Sequence, residues 1–298
     1  MLTRFMYRRY RWMKEYCIKH PRSPLSRVFF RMLAVANVLL SARSPKYQDP
    51  AESRIWKAVY FQRWGETSPF ELQTDAPVAA DTADHKWPRG ALYDNSVNRR
   101  FNLKLYDHFR HRRDLRVLDL GCSGGGFVKS LIEDGYAAVG VEGSDVSRKL
   151  RAAEWDTIPY HLFTGDITRA FQILNGGASP VRFHCITAWE VLEHIPEDRV
   201  PDLFENIRRH LEPDGIFVAS VALFPDADPL TGAVYHVTLH PKEWWIERFA
   251  AAGLCEVERH RFETADYVRG HGMGLRDWNP ADGDGFHVVL RLKAPTPV

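Results

Sequence analysis

The chain has 298 residues, 45% of them hydrophobic and 26% charged, enough to bury one large core and carry an accessory segment. Four scattered cysteines (Cys17, Cys122, Cys185, Cys255) without a C-x-x-C pair argue against a zinc ribbon or a disulfide framework and fit a reducing, cytoplasmic setting. The net charge of +2 conceals an asymmetry: residues 1–48 hold 11 Lys/Arg against one acid, Glu15, and the remainder holds 29 basic and 37 acidic residues.

Residues 1–48 read as a basic arm with Phe5, Tyr7, Tyr10, Trp12 and Tyr16 interleaved. Residues 28–42 form a mostly apolar run between Arg27 and Arg43. At 1.5 Å per residue the run is about 22 Å long against a hydrocarbon core of about 30 Å, and Arg31 and Asn37 interrupt it, so it suits an interfacial helix better than a span. The basic stretch before it is too long for a signal peptide. Three readings stay open for the arm: a helical extension packed on the main domain, peripheral contact with a membrane surface, and, least favoured, nucleic acid.

Residues 49–110 form an accessory region. An aromatic segment over 54–64 predicts a helix, and residues 69–83, rich in Pro, Ala, Asp and Thr, predict a loop. From Asn95 onward Val97, Phe101, Leu105 and Phe109 recur at four-residue steps, which predicts an amphipathic helix with Asp94 or Ser96 at its N-cap. Asp94, Asn95, Asn98 and Arg99 are read as either substrate contacts or parts of that capped helix.

The third region, residues 111–298, carries the chemistry. The run VLDLGCSGGGF at 117–127 leads an apolar strand into Asp119, then into a loop with four glycines among six residues, then into a helix. Glycine allows positive φ and close approach of a ligand, and the helix N-terminus beyond offers unpaired N–H groups. About 20 residues later a second strand (137–141) ends in Glu142-Gly143, an acid placed to take ribose hydroxyls. These features read as a nucleoside-cofactor site. Strand-like runs at 160–163, 183–189 and 211–220 follow, with helices expected over 128–134, 146–154, 168–174, 198–211 and 241–252. That alternation argues for a parallel sheet covered on both faces. Residues 254–262 and 285–292 lack a helix between them and read as an antiparallel pair. Asp119, Glu142, Asp166 and Glu190 all fall at carboxyl ends of strands, where ligands bind in such sheets.

In Asp119-Leu-Gly121-Cys-Ser123-Gly-Gly125 the acid precedes the glycines, unlike a G-x-G-x-x-G dinucleotide fingerprint. It resembles motif I (D-x-G-x-G-x-G) of the class I S-adenosylmethionine-dependent methyltransferases, with Ser123 in place of the middle glycine. Gly165-Asp166-Ile167, the E-V-L-E-H run at 190–194 and the L-E-P-D-G turn at 211–215 resemble that family's later motifs in order, so the likeness covers residues 114–293. It implies a Rossmann-like seven-stranded α/β sheet of order 3-2-1-4-5-7-6 with the last strand antiparallel, preceded by an N-terminal helical extension. It implies S-adenosylmethionine as cofactor, held by Asp119, Gly121, Ser123, Gly125, Glu142, Gly143, Asp166, Ile167 and Glu190.

Methyl transfer to a hydroxyl needs an aligned nucleophile and a base. His194 or His236 is the candidate base, with Glu193 beside them. Glu190, Glu193, His194, His236 and His240 also resemble the E-x-x-E-H…H divalent-metal site of small-RNA 3′-terminal 2′-O-methyltransferases, although E-V-L-E-H is widespread in metal-free small-molecule enzymes. The metal-free reading is therefore preferred. Residues 264–284 read either as a lid over the acceptor or as a solvated connection; they lack the ligands of a calcium loop. The main expectation is methylation of a hydroxyl on a small-molecule or glycan acceptor, with Trp244-Trp245 suited to a sugar face. The alternatives are a metal-assisted RNA ribose methyltransferase, without an evident K-D-K-E tetrad, and a non-catalytic cofactor-binding protein.

Overall fold

The computed structural model describes residues 68–86, 88, 92, 94–177, 179–272 and 277–293, with positions 24, 25 and 28. The expectations for the basic arm and for a helix over 54–64 lie outside the described residues. Among the described residues no helix is long and apolar enough to cross a membrane.

Ten strands and six α-helices make up the described fold. A small sheet joins β1 (Phe70–Thr74), β5 (Phe171–Asn175) and β6 (Ser179–Pro180). The large sheet contains β2 (Arg116–Leu120), β3 (Ala137–Glu142), β4 (Leu162–Thr164), β7 (Phe183–Trp189), β8 (Leu211–Ala222), β9 (Leu254–Glu256) and β10 (Gly285–Leu292). Its spatial order is β4-β3-β2-β7-β8-β10-β9. Counted within this sheet alone, that is the expected 3-2-1-4-5-7-6. The last strand, β10, runs antiparallel to both β8 and β9, and the other pairings in the sheet are parallel.

Six helices follow in chain order: α1 (Ala83–Lys86), α2 (Arg99–His108), α3 (Gly126–Glu133), α4 (Val146–Leu150), α5 (Val200–His210) and α6 (Lys242–Ala251). Alternation along the strands sends side chains into two cores. Leu118, Leu120, Val139 and Ile186 pack with Leu203, Phe204 and Ile207 of α5 and Trp245 and Phe249 of α6. Val117, Ala138, Cys185 and Val218 pack with Phe101 and Leu105 of α2 and Val128 and Leu131 of α3. The central strand β7 is buried at all seven positions, which explains why its sequence is apolar without alternation.

Five local expectations are corrected. Within the loop expected over 69–83 and the helix expected over 168–174 lie instead the antiparallel partners β1 and β5, registered from Phe70↔Asn175 to Thr74↔Phe171. Each is five residues long, and their partners lie about a hundred positions apart, so neither reveals the other locally. The helix after β3 stops at Leu150 because Arg151 turns left-handed (φ 51°), and a 3-10 turn, Ala153–Asp156, follows. Helix α2 is capped by Asn98, whose side chain accepts from Arg100 N–H, rather than by Asp94 or Ser96. The strand expected over 254–262 is only the three residues of β9.

Candidate functional site

The glycine loop leaves β2 at the switch between β2 and β7, where neighbouring connections run to opposite faces and open a crevice. Gly121 (φ 69°) must be glycine twice over, since its conformation is left-handed and a Cβ would collide with Val191. Ser123, the departure from the motif, also sits left-handed at φ 50°. Its N–H donates to Glu142 Oε2 (2.8 Å) and its hydroxyl to the Asp94 carbonyl (2.9 Å), which holds a non-glycine residue in that conformation.

A cavity of about 420 Å³ opens over these strand ends. Of the nine expected cofactor residues, Gly121, Ser123, Glu142, Gly143, Asp166, Ile167 and Glu190 line it; Asp119 and Gly125 do not. Asp119 lies beneath the loop, buried, accepting from Thr187 Oγ1 at 2.7 Å. Burial, with Glu142 and Asp94 nearby, pushes its pKa up to about 8 against the lowering effect of that bond. Gly125 is the N-cap of α3, packed against Leu162.

The three expected cofactor acids that line the cavity differ in what they already bind. Glu142 accepts backbone N–H groups from Ser123 on Oε2 and from Ser144 on Oε1 (3.1 Å), and burial raises its pKa. Each of its oxygens keeps a lone pair for a second donor. Asp166 closes a turn by accepting from Thr168 N–H (2.9 Å) and Oγ1 (2.7 Å). Glu190 has left-handed backbone (φ 54°), with its N–H held by the Ser220 carbonyl at 3.0 Å. Trp278 Nε1 donates to its Oε1 at 2.7 Å and Arg269 Nη2 to its Oε2 at 2.9 Å. Burial raises the Glu190 pKa while Arg269 opposes it.

His194 and His236 also line this cavity, with ring centroids 4.8 Å apart in an edge arrangement. The Asp84 carboxylate of α1 lies 2.8 Å from His194 Nδ1, and the Phe224 carbonyl lies 2.6 Å from His236 Nδ1. Both partners are acceptors, so each Nδ1 carries the proton and each Nε2 is left free of these bonds. Burial alone would lower the His194 pKa, but Asp84, Glu193 and Glu190 raise it to about 9. Burial lowers that of His236, with charged His194 adding to the effect. The pair is thus split, one ring cationic and one neutral. Glu193 is fully buried behind them; its Oε1 accepts from Ala222 N–H (3.0 Å), its Oε2 has no partner among the described residues, and burial raises its pKa to about 7. Its carbonyl accepts from Val237 and Thr238 N–H (2.8 and 3.0 Å), fastening the segment that carries His236.

Of the five metal candidates, only Glu193, His194 and His236 come together, with one ligand atom of each within 4.8 Å of the others. Glu190 is taken by Arg269 and Trp278, and His240 pairs with Glu197 (2.8 Å) and stacks on Trp244. Neither Trp244 nor the fully buried Trp245 lines the cavity. Asn98 binds the Ala265 and Tyr267 carbonyls and Arg99 binds Glu133 and Asp134, so among the four residues of that segment only Asp94 faces the cavity. The sequence reading missed Asp84, Arg269 and Trp278. Asp84 directly follows the loop expected over 69–83, and the other two lie in the connection before β10, where no periodic pattern marks them.

Residues 93–267 match the family described as "Methyltransferase domain". Comparison with curated proteins finds no match. Among solved structures the chain is similar to a TehB-like S-adenosylmethionine-dependent methyltransferase from Corynebacterium glutamicum (19% identity, 70% of this chain and 95% of that one, TM-score 0.43). It is similar also to 1,6-didemethyltoxoflavin-N1-methyltransferase from Burkholderia thailandensis (16% identity, 84% and 93%, TM-score 0.46) and to the CcbJ methyltransferase from Streptomyces caelestis (18%, 77% and 99%, TM-score 0.44). With the domain match covering more than half of the chain, and with the 3-2-1-4-5-7-6 sheet and its glycine loop in place, this protein belongs to the class I S-adenosylmethionine-dependent methyltransferases.

Proposed function

We propose that the protein transfers a methyl group from S-adenosylmethionine to a hydroxyl of a small-molecule or glycan-type acceptor, with His236 as general base. One observation carries this reading: a single cavity joins the glycine loop and strand-end acids to the His194–His236 pair. The residues present fit the cofactor. Glu142 offers two oxygens to a vicinal diol, Asp166 and Ile167 pair an acid with an apolar wall for an adenine edge, and the lining acids suit a cation. When bound, the cofactor supplies a methyl group already activated on sulfur.

The protein's part is to align the acceptor and take its proton. His236, neutral and oriented by the Phe224 carbonyl, receives that proton at Nε2. His194, kept cationic by Asp84, holds the acceptor oxygen by a charge-assisted bond from Nε2–H. Asp81, Asp84, Asp198 and Asp226 line the cavity together with Arg169 and Arg199, so acids outnumber arginines among them, a balance that suits a neutral acceptor rather than a polyphosphate such as RNA.

A second reading is favoured by the unpartnered Glu193 Oε2. Glu193, His194 and His236, with one ligand atom of each within 4.8 Å of the others, make a set of two imidazoles and one carboxylate, and Asp84 and the Phe224 carbonyl orient the rings through Nδ1, as in divalent-metal centres. A cation there would orient an acceptor hydroxyl and lower its pKa. Elemental analysis of the purified protein and activity after EDTA treatment decide between the two readings. Full activity in EDTA excludes the metal.

Titration calorimetry with S-adenosylmethionine and S-adenosylhomocysteine tests the enzyme reading, and no binding of either would overturn it. A screen of hydroxylated and glycan acceptors for transfer of labelled methyl then identifies the substrate class. For residues 1–48 we propose peripheral membrane contact by a cytoplasmic enzyme, on their charge and apolar run. Cosedimentation with anionic liposomes, lost on deletion of 1–48, is the expected result; salt-sensitive RNA binding by the arm without liposome binding would overturn it.

A further inference from the structure

Arg269 is an unusual group to find at the wall of this cavity. Its guanidinium is largely buried and permanently charged, yet of its five N–H donors only those on Nε and Nη2 are used, both toward Glu190 Oε2 (3.3 and 2.9 Å). Nη1 makes no hydrogen bond or ion pair among the described residues. Beside it, Asp94 Oδ2 lies 3.6 Å from Arg269 Nε, while Asp94 Oδ1 is occupied by Ser96 N–H at 2.9 Å. The Asp94 carbonyl in turn accepts from Gly124 N–H and Ser123 Oγ, so this pair of charges is pinned to the glycine loop itself. Thus a guanidinium edge and a carboxylate oxygen, both short of partners among the described residues, stand side by side in the wall of the cavity that Gly121 and Ser123 also line.

From this juxtaposition we infer that Arg269 and Asp94 form a receptor for an α-amino-acid zwitterion, Arg269 Nη1 taking the carboxylate and Asp94 Oδ2 the ammonium. The inference rests on the proposed cofactor, whose amino-acid end is the zwitterion in question. It assigns a binding role to the connection before β10, which the sequence left as either lid or solvated link. Paired opposite charges also select against ligands carrying only one of the two groups, because either charge would then be left desolvated beside a mismatched partner.

The test is titration calorimetry on the full chain with three ligands: S-adenosylhomocysteine, decarboxylated S-adenosylmethionine (ammonium but no carboxylate) and 5′-methylthioadenosine (neither). Arg269→Gln is expected to weaken S-adenosylhomocysteine by about 10- to 100-fold while changing the other two less than about twofold. Asp94→Asn is expected to weaken both ammonium-bearing ligands and spare 5′-methylthioadenosine. Arg269→Lys, which keeps the charge, guards against a folding defect and should show a smaller loss confined to the carboxylate-bearing ligand. Equal loss of all three ligands in the Arg269 variants would make Arg269 a structural clip, and no loss would make it a bystander; either result overturns the inference while leaving the cofactor reading intact. If the unaltered protein binds none of the three, the cofactor reading fails as well.

Discussion

The two walls of the cavity are built by different means. One is made of strand ends: Gly121 and Ser123 after β2, Glu142 after β3, Asp166 after β4 and Glu190 after β7, spaced by sheet register. The other is assembled from connections far apart in sequence: Asp84 in α1, Asp94 before α2, His236 after β8 and Arg269 before β10. The first wall depends on backbone hydrogen bonds repeated along every strand, so it can tolerate wide sequence change and still present the same acids. The second depends on individual pairs such as Asp84–His194 and Arg269–Glu190. Under the proposed function the strand-end wall, with Asp94 and Arg269 of the second, serves the cofactor, and Asp84, His194 and His236 serve the acceptor.

The sharpest way to break this division is to remove the proposed base. His236→Asn should reduce turnover by about 10²- to 10⁴-fold with the affinity for S-adenosylhomocysteine unchanged, as measured by single-turnover methyl transfer and calorimetry. A parallel loss of cofactor affinity would mean that the walls are not separable. On the strand-end side, Glu142→Gln should do the reverse, weakening S-adenosylhomocysteine by about tenfold and leaving single-turnover transfer at saturating cofactor nearly intact. Gly121→Ala tests the loop that joins the walls. Left-handed strain and the clash with Val191 should cost about 1–3 kcal/mol of stability in urea unfolding, and an unchanged midpoint would contradict the crowding described.

A pH-dependent test concerns Asp119, beneath the loop. Its folded pKa, about 8, lies above the unfolded carboxylate value, so the folded state retains a proton that the unfolded chain releases. The associated stability is fully present below about pH 4 and is lost progressively as pH rises toward 8, at most about 1.4 kcal/mol per pH unit. Asp119→Asn should flatten that dependence, so its unfolding midpoint relative to the parent protein should rise between pH 5 and 8 in the absence of ligand. A constant difference across that range would show that Asp119 is ionised in the folded protein.

Much of the first wall was legible before any coordinates. The VLDLGCSGGGF run, the Glu142 strand end and the β10 boundaries at Gly285 and Leu292 rest on contiguous residues whose period and turn chemistry are local. Asp119 marks the limit of that legibility, because a motif acid at a strand end was expected in the pocket and is found supporting it from below. In β2, Leu118 and Leu120 face one core and Val117 the other, but only the turn beyond Leu120 decides which atoms reach the crevice.

The amino-acid sequence by itself determined the sheet, its strand order by family likeness, and the nucleoside-binding loop, because hydrophobic period and glycine placement act over a few residues. The tertiary structure alone decided that Phe70–Thr74 pairs with Phe171–Asn175, that Asp84 reaches across 110 positions to His194, and that Arg269 comes to rest between Asp94 and Glu190. Those are contacts between residues with no local pattern of their own. Their energy is realised only when the sheet has already brought the loops together, so it leaves no trace in the spacing of residues along the chain.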